Sequence, residues 1–160
     1  MLDLPSGALN SGGASIFLTV IKDEIIPFID ERYKTTTDRG ISGHSLGGLF
    51  ASYCLLTEPE LFSRYGINSP SLWWNRKVMF NLEKAYSEEH DELKAKVFMS
   101  VGSLEGKSMT PVMIEFAEQL RSRGYKGLEL THYVFEDETH TSVVPAMMSR
   151  TIRVLYNSSD

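Results

Sequence analysis

Apolar side chains recur three and four positions apart along residues 14–33, and this spacing predicts an amphipathic helix. Pro27 is expected to kink this helix or to begin a new turn, because proline has no N–H to give to the helical ladder. The same spacing predicts four more helices, at residues 46–57, 78–86, 111–123 and 144–156.

The ends of the helix predicted at residues 111–123 carry clear signals. Thr110 can cap its first turn, Pro111 suits the first helical position, and Gly124 suits the C-terminal stop.

Short apolar stretches between these helices predict four strands, at residues 40–42, 65–68, 97–102 and 128–135. Strands that alternate with helices favour an α/β fold in which helices cover both faces of a parallel sheet. Residues 1–13 are rich in glycine, serine, proline and asparagine without any period, so we expect a flexible N-terminal segment ahead of one domain at residues 14–160.

The composition excludes several classes of protein. A chain of 160 residues with 42% hydrophobic residues fits one soluble domain, and a net charge of −5 gives no basic surface for nucleic acid. No apolar run approaches the roughly 18 to 20 residues that a membrane-spanning helix needs, so no membrane partner is expected. Cys54 is the single cysteine and is predicted to be a buried, inert thiol. Nothing resembles a metal-ligand cluster, so we expect neither a metal nor an organic cofactor.

Residues 43–47 read Gly-His-Ser-Leu-Gly and match the G-x-S-x-G pattern of a nucleophile elbow. A predicted strand precedes the pattern and a predicted helix begins within it, as this sharp turn requires. The turn would hold Ser45 in a strained conformation that projects its Oγ. The N–H of Leu46 would then face a developing oxyanion, a contribution of about 2.7 to 4 kcal/mol. The alternative is a glycine-rich turn with an ordinary surface serine.

A serine nucleophile needs a base within hydrogen-bond reach. Of the four histidines, His44 adjoins the serine but is expected to point away across the elbow, His90 lies in a charged stretch, and His132 lies within a strand. His140 follows the last predicted strand, at the carboxyl end of the sheet where catalytic loops gather. We therefore predict His140 as the base, with a solvated loop histidine as the alternative.

The acid that orients such a base lies between the serine and the histidine in the chain order of elbow enzymes. Glu105 satisfies this order and directly follows the third predicted strand. The rivals Glu136, Asp137 and Glu138 lie on the histidine's own loop and would have to fold back on the ring. Glu105 is the predicted acid, and a serine–histidine dyad with Glu105 as a surface residue is the alternative.

Several stretches together resemble the esterase branch of the α/β-hydrolases, which includes siderophore esterases, S-formylglutathione hydrolase and feruloyl esterases. In the family's order, the matching stretches are residues 24–29, 43–50, 69–74, 102–105 and 138–140. Their joint occurrence is far more specific than the elbow alone. The resemblance is greatest to the siderophore-esterase-like hydrolases of bacteria.

The resemblance implies that Ser45, Glu105 and His140 match the catalytic positions of the family. It also implies that Trp73 and Trp74 lie near the acyl or alcohol pocket, although paired tryptophans read equally well as core anchors on the residues alone. His44 is predicted to be a further substrate-binding residue. Some siderophore esterases of this type are serine–histidine dyads, so the resemblance leaves the role of Glu105 open.

The family begins with several strands and an oxyanion-hole loop ahead of the helix that starts here at Ala14. Only four strands are predicted in this chain, against about eight in the usual fold. We therefore expect the C-terminal catalytic part of an α/β-hydrolase, without the second oxyanion donor. The elbow strand would present an open edge through which the chain can self-associate.

These features predict a carboxylic ester hydrolase that forms an acyl-enzyme on a small-molecule ester. Two alternatives use the same residues. One is a non-catalytic, truncated remnant of such a hydrolase, and the other is an acyltransferase that passes the acyl group to an alcohol or thiol.

Overall fold

The computed structural model describes residues 12–157. The flexible segment predicted at residues 1–13 lies outside this range except for Gly12 and Gly13. Helices and strands alternate along the chain as follows: α1 (Ala14–Val20), α2 (Ile26–Arg32), β1 (Gly40–His44), α3 (Leu46–Thr57), β2 (Arg64–Asn68), α4 (Trp74–Glu89), β3 (Glu92–Gly102), α5 (Thr110–Ser122), β4 (Lys126–Phe135) and α6 (Val144–Tyr156).

The four strands form one parallel sheet whose spatial order, β1-β2-β3-β4, is also their order in the chain. The register runs across the sheet from Ile41 to Tyr65, then to Val97 and then to Leu130. The predicted fold class, a parallel α/β sheet flanked by helices, is confirmed. The carboxyl ends of all four strands therefore lie at one edge, where their loops can meet.

Helices cover the two faces of the sheet unequally. α3 packs on β1 and β2, α5 packs on β3 and β4, α4 contacts both of these helices, and α1 packs on α3. α6 packs on β2 and β3 from the other face. Neighbouring residues of a strand point to opposite faces, and two neighbours in β2 show this arrangement. A Cβ on Gly66 would lie 2.5 Å from the side chain of Thr151 in α6, whereas the neighbouring Tyr65 packs edge-on against Phe62.

The helix predicted over residues 14–33 forms, but it widens into a π-helical turn at Ile21–Ile25, just before Pro27. The wide turn lies where the proline removes a hydrogen bond from the α-helical ladder, and a new α-helical segment, α2, begins beside the proline, as the sequence predicts. The ring of Phe17 lies 5.0 Å from that of Phe50 and joins the helix to α3.

β3 begins earlier than the predicted residues 97–102, inside a stretch of charged side chains. Leu93 and Ala95 are buried there, while Lys94 between them is exposed. The alternation of a strand thus extends through Lys94 and its charged neighbours, which hide the apolar signal in the sequence.

α5 differs from its prediction at its first residue. Thr110 does not cap the helix but is its first residue, and its hydroxyl donates to the carbonyl of Gly102 at 2.8 Å. A cap would accept a hydrogen bond from a helix N–H at this oxygen, whereas here the hydroxyl donates to the carbonyl at the end of β3. At the other end, Gly124 has a φ of +65°, as its predicted role in stopping the helix requires.

α4 opens with an unusual left-handed turn. The φ angles of Asn75, Arg76 and Lys77 are 44°, 54° and 59°, and the right-handed helix follows at the start predicted near residue 78. This conformation costs a non-glycine residue about 1–2 kcal/mol. Lys77 Nζ contacts Glu115 Oε2 at 2.6 Å and ties the turn to α5.

β1 is an edge strand within the part of the chain that the structure describes, because β2 pairs with only one of its sides. Beside this edge, a cavity of about 160 Å³ opens between β1 and α6. Apolar side chains of α6 are exposed there, with Ile152 at 63% and Met148 at 56%.

Cys54 is buried, as predicted, and burial raises the pKa of its thiol to about 12. No helix between residues 12 and 157 is both long enough and apolar enough to span a bilayer.

Candidate active site

Ser45 lies at the turn between β1 and α3 with φ 60° and ψ −116°, the strained conformation that the elbow pattern predicts. Strand and helix cross closely here, because a Cβ on Gly43 would lie 2.2 Å from the carbonyl of Gly47. Any larger side chain at residue 43 would therefore force the two elements apart. Leu46 is the first residue of α3, so its N–H has no acceptor within the helix.

A carboxylate and an imidazole meet at the same edge of the sheet. His140 Nδ1 lies 2.7 Å from Glu105 Oε2. The side chain of Glu105 is fully buried, whereas that of His140 is 39% exposed. Because Glu105 occupies Nδ1, Nε2 is the ring nitrogen that remains for proton transfer.

The loops that carry these two residues pack on each other. Leu104 N–H donates to the carbonyl of Glu138 at 3.0 Å, and a Cβ on Gly102 would lie 2.3 Å from that oxygen. The side chain of Glu138 accepts a hydrogen bond from Ser142 rather than from the ring of His140. Among the described residues, Glu105 is the carboxylate that contacts His140.

The second oxygen of Glu105 is also fully engaged. Ser69 Oγ donates to Oε1 at 2.6 Å, and the N–H of Gly102 donates to the same oxygen at 2.7 Å. Hydrogen bonds that donate to a charged carboxylate are stronger than bonds between neutral groups. The carboxylate is thus held by donors from two strand ends as well as by the histidine.

The hydroxyl of Ser45 lies 3.4 Å from that of Ser71, which is almost completely buried. Within residues 12–157, the hydroxyl forms no hydrogen bond with the ring of His140. Hydrogen bonds between nucleophile and base are often long before substrate binds.

His44 lies against His140, and the expectation that it points away across the elbow is wrong. Its ring centroid is 4.4 Å from that of His140, with 37° between the ring planes. The loop after β4 folds back over the end of β1 and brings the two rings together. Burial, and then the nearby His140, lower the pKa of His44, so the neutral form is favoured. Its Nε2 is buried and has no hydrogen-bond partner among the described residues.

The paired tryptophans lie where the chain passes from β2 into α4. Trp73 is 45% exposed, and its Nε1 donates to Met109 Sδ at 3.2 Å. The ring centroids of Trp73 and Trp74 are 5.7 Å apart. This exposure is compatible with a substrate pocket, and substrate binding by both rings and by His44 stays a prediction.

The sequence did not single out the polar side chains that surround these residues. Asn68 Oδ1 accepts hydrogen bonds from Ser100 at 2.7 Å and from Thr151 at 3.1 Å, and Asn68 Nδ2 donates to Ser42 at 3.2 Å. This network joins three strands to α6 directly beneath the elbow. The available signal was the run of small polar residues at the end of β2, which also contains Ser69 and Ser71.

A parallel sheet flanked by helices, with a serine elbow after one strand and a glutamate–histidine pair on later loops, defines a protein of the α/β-hydrolase type. Residues 5–141 match the family "Putative esterase", and the chain belongs to this family.

Relatives of this chain include named siderophore esterases. The ferri-bacillibactin esterase BesA of Bacillus subtilis is 31% identical over 148 residues, which are 89% of this chain and 51% of that protein. The siderophore triacetylfusarinine C esterase of Aspergillus fumigatus is 28% identical over 91% of this chain and 59% of its own length. The chain therefore spans between half and three-fifths of these relatives.

A solved structure also has this fold, and this chain again covers only part of its length. The BES protein from Bacillus cereus matches with a TM-score of 0.87 and 33% identity, over 98% of this chain and 61% of that one.

Proposed function

We propose that this chain hydrolyses carboxylic esters through an acyl-enzyme on Ser45. The observation that carries the proposal is the 2.7 Å contact between Glu105 and His140 at the same sheet edge as a strained serine elbow. His140 is the proposed base, and Glu105 is the acid that orients it. Membership of an esterase family and the esterase names of the relatives support the same activity.

In the acylation step, Ser45 Oγ attacks the ester carbonyl while its proton moves to His140 Nε2. The N–H of Leu46 donates to the oxyanion that forms. The carbon–oxygen bond to the leaving group then breaks, and the proton on Nε2 moves to the departing alkoxide. The buried carboxylate of Glu105 favours this path because it stabilises the imidazolium that exists between the two transfers.

Deacylation repeats the same steps with water. His140 takes a proton from the attacking water, whose oxygen bonds to the acyl carbon, and then returns a proton to Ser45 Oγ as the ester bond breaks. The products are the free acid and the regenerated serine.

For the substrate we propose a siderophore ester, because both named relatives act on siderophores according to their names. Incubation of the chain with ferri-bacillibactin, followed by chromatography of the products, tests this choice. Turnover of a simple aryl ester without any cleavage of the siderophore would support the proposed esterase activity and contradict the proposed siderophore substrate.

The experiment that tests the mechanism is labelling of the 160-residue chain with a fluorophosphonate, whose phosphorus bonds to an activated serine as fluoride leaves. We expect one label, which mass mapping places on Ser45, and no label on Ser45→Ala. Ser45→Ala should also lose hydrolysis of a p-nitrophenyl ester and keep its unfolding temperature. Equal turnover in Ser45→Ala would contradict the assignment.

One observation favours a second candidate, namely that the chain is a folded but non-catalytic remnant of such a hydrolase. The hydroxyl of Ser45 is paired with Ser71 instead of His140. Under this alternative, well-folded chain would take up no fluorophosphonate. Acyl transfer is separated from hydrolysis by adding an alcohol and measuring which product carries the acyl group.

A further inference from the structure

We propose that Ser69 is a positioning residue of the candidate active site and acts through Glu105. Its hydroxyl fixes Glu105 Oε1, so that Oε2 faces the ring of His140. The inference rests on the proposed ester hydrolysis and adds a residue to which neither the elbow nor the family resemblance gave a role.

The contacts of Glu105 show why a donor at residue 69 matters. Gly102 is only three residues from Glu105, so its N–H fixes the carboxylate within the loop of Glu105 itself. Ser69 reaches the same oxygen from the end of β2. Because Ser69 is fully buried, water cannot easily replace its hydroxyl. Ser69 is therefore the contact that ties the orientation of Glu105 to a neighbouring strand.

The turn that carries Ser69 also holds the serine elbow. The N–H of Ser45 donates to the carbonyl of Asn68 at 3.1 Å, and the N–H of Ser71 donates to the carbonyl of Ser45 at 3.1 Å. The residues before and after Ser69 in this turn, Asn68 and Ser71, thus both hydrogen-bond to the backbone of Ser45. One turn sets the position of Ser45 relative to Glu105, and through Glu105 relative to His140.

The backbone of Ser69 is itself unusual. Its φ is +39°, a left-handed value that a residue with a side chain seldom adopts. Its N–H donates to the carbonyl of Ser100 at 2.6 Å, and this bond and the Glu105 contact together hold the conformation. Such conformations persist where the surroundings over-determine them, and they cluster at functional sites.

The kinetic test is Ser69→Ala, which removes the hydroxyl and keeps the Cβ. We expect kcat for a p-nitrophenyl ester to fall about 10- to 100-fold while KM stays within about twofold, because a misplaced base slows chemistry more than binding. The matched control is Ser52→Ala, since Ser52 is equally buried and donates only to a helix carbonyl. This control should keep the wild-type kcat. A wild-type kcat in Ser69→Ala overturns the proposal.

A double-mutant cycle separates positioning from general damage. If Ser69 acts through Glu105, Ser69→Ala should cost no more than about twofold when it is added to Glu105→Gln. The full loss of the single variant, repeated on the Glu105→Gln background, would mean that Ser69 acts by another route and would overturn the proposal.

A spectroscopic readout does not depend on turnover. The proton between His140 Nδ1 and Glu105 should give a downfield proton NMR signal, identified by its loss in His140→Ala. We expect this signal to shift or broaden in Ser69→Ala and to stay in place in Ser52→Ala. An unchanged signal in Ser69→Ala, or no signal in the wild type, overturns the proposal. If the wild type has the signal but cleaves no ester, the proposed function is contradicted. The role of Ser69 is then tested by comparing the signal in the wild type with that in Ser69→Ala.

Discussion

Glu105 is a buried charge that keeps three hydrogen-bond donors: Ser69, Gly102 and His140. A carboxylate without such donors would be too costly to bury in its charged form. The surroundings therefore hold the carboxylate in one orientation, with Ser69 and Gly102 donating to Oε1 and His140 contacting Oε2. A side chain of the same shape that carries its own donor can keep all three contacts only if the His140 ring carries its proton on Nε2 instead of Nδ1.

The substitution Glu105→Gln tests whether the negative charge of this side chain is needed for activity. Its oxygen can keep the hydrogen bonds from Ser69 and Gly102, and its NH2 group then faces His140 Nδ1. The ring must accept this hydrogen bond and carry its proton on Nε2, where it cannot act as the base. We expect kcat to fall by about 10² to 10⁴, as when the acid of a triad loses its charge. The measurement is kcat for a p-nitrophenyl ester, with Glu138→Gln as the control on the histidine's own loop. Activity within about twofold of wild type would mean a dyad or another acid.

At the scale of elements, α4 and α5 are joined by a buried ionic cluster around Glu83, whose side chain is fully buried. Arg123 Nε contacts its Oε1 at 3.1 Å, and Tyr125 donates to the same oxygen at 2.7 Å, while Gln119 donates to Oε2. Burial and the bond to this carboxylate raise the pKa of Tyr125. The cluster links α4 to both ends of the turn that leads into β4.

Glu83→Ala should lower the free energy of unfolding by roughly 2 to 4 kcal/mol, because three donors lose their common acceptor. Arg123 is about one-third exposed, so water offsets part of the loss. Tyr125→Phe keeps the carboxylate with its other partners and should cost only about 1 kcal/mol. Chemical denaturation gives both values, and a loss in Glu83→Ala no larger than that in Tyr125→Phe would contradict the ionic account.

At the left-handed turn that opens α4, a glycine should stabilise the protein, whereas glycine usually destabilises a helix. Arg76→Gly should raise the free energy of unfolding by up to about 1 kcal/mol, because glycine adopts a φ of 54° without the steric penalty. The control, Lys84→Gly, lies in the right-handed part of α4 and should lower it by about 1 kcal/mol. Equal losses in the two variants would show that residue 76 is not left-handed in solution.

Local patterns predicted the elements well where the signal lies within the element itself. Leu46–Thr57 and Val144–Tyr156 match their predicted bounds, because periodic apolar residues and clear ends define them. The contact of Glu105 with His140 was also accessible, since strand ends of a parallel sheet meet at one edge. The orientation of His44 was not, because it depends on a loop far along the chain that folds over β1. Ser69 was missed for the same reason, as its partner lies on another strand end.

Within residues 12–157 the sheet ends in two edge strands, β1 and β4, and exposed apolar side chains of α6 lie next to the β1 edge. We expect the chain to self-associate through this edge, since an unpaired strand beside apolar surface tends to find a partner. Light scattering after size exclusion should show a mass that rises with concentration. Ile152→Glu places a charge beside the edge and should shift the equilibrium toward the monomer, whereas Lys84→Glu, on α4 across the sheet, should not. A concentration-independent monomer in the wild type would contradict this expectation.

The strand order of the sheet also has a consequence for biosynthesis. Each crossover joins neighbouring strands, so the sheet can grow in the order in which the ribosome releases the chain. The hydroxyl of Ser45 emerges first, the carboxylate of Glu105 follows, and the imidazole of His140 comes last. A nascent chain would thus carry Ser45 before the proposed base has been synthesised, and the proposed hydrolysis would begin only after the loop of His140 folds over β1.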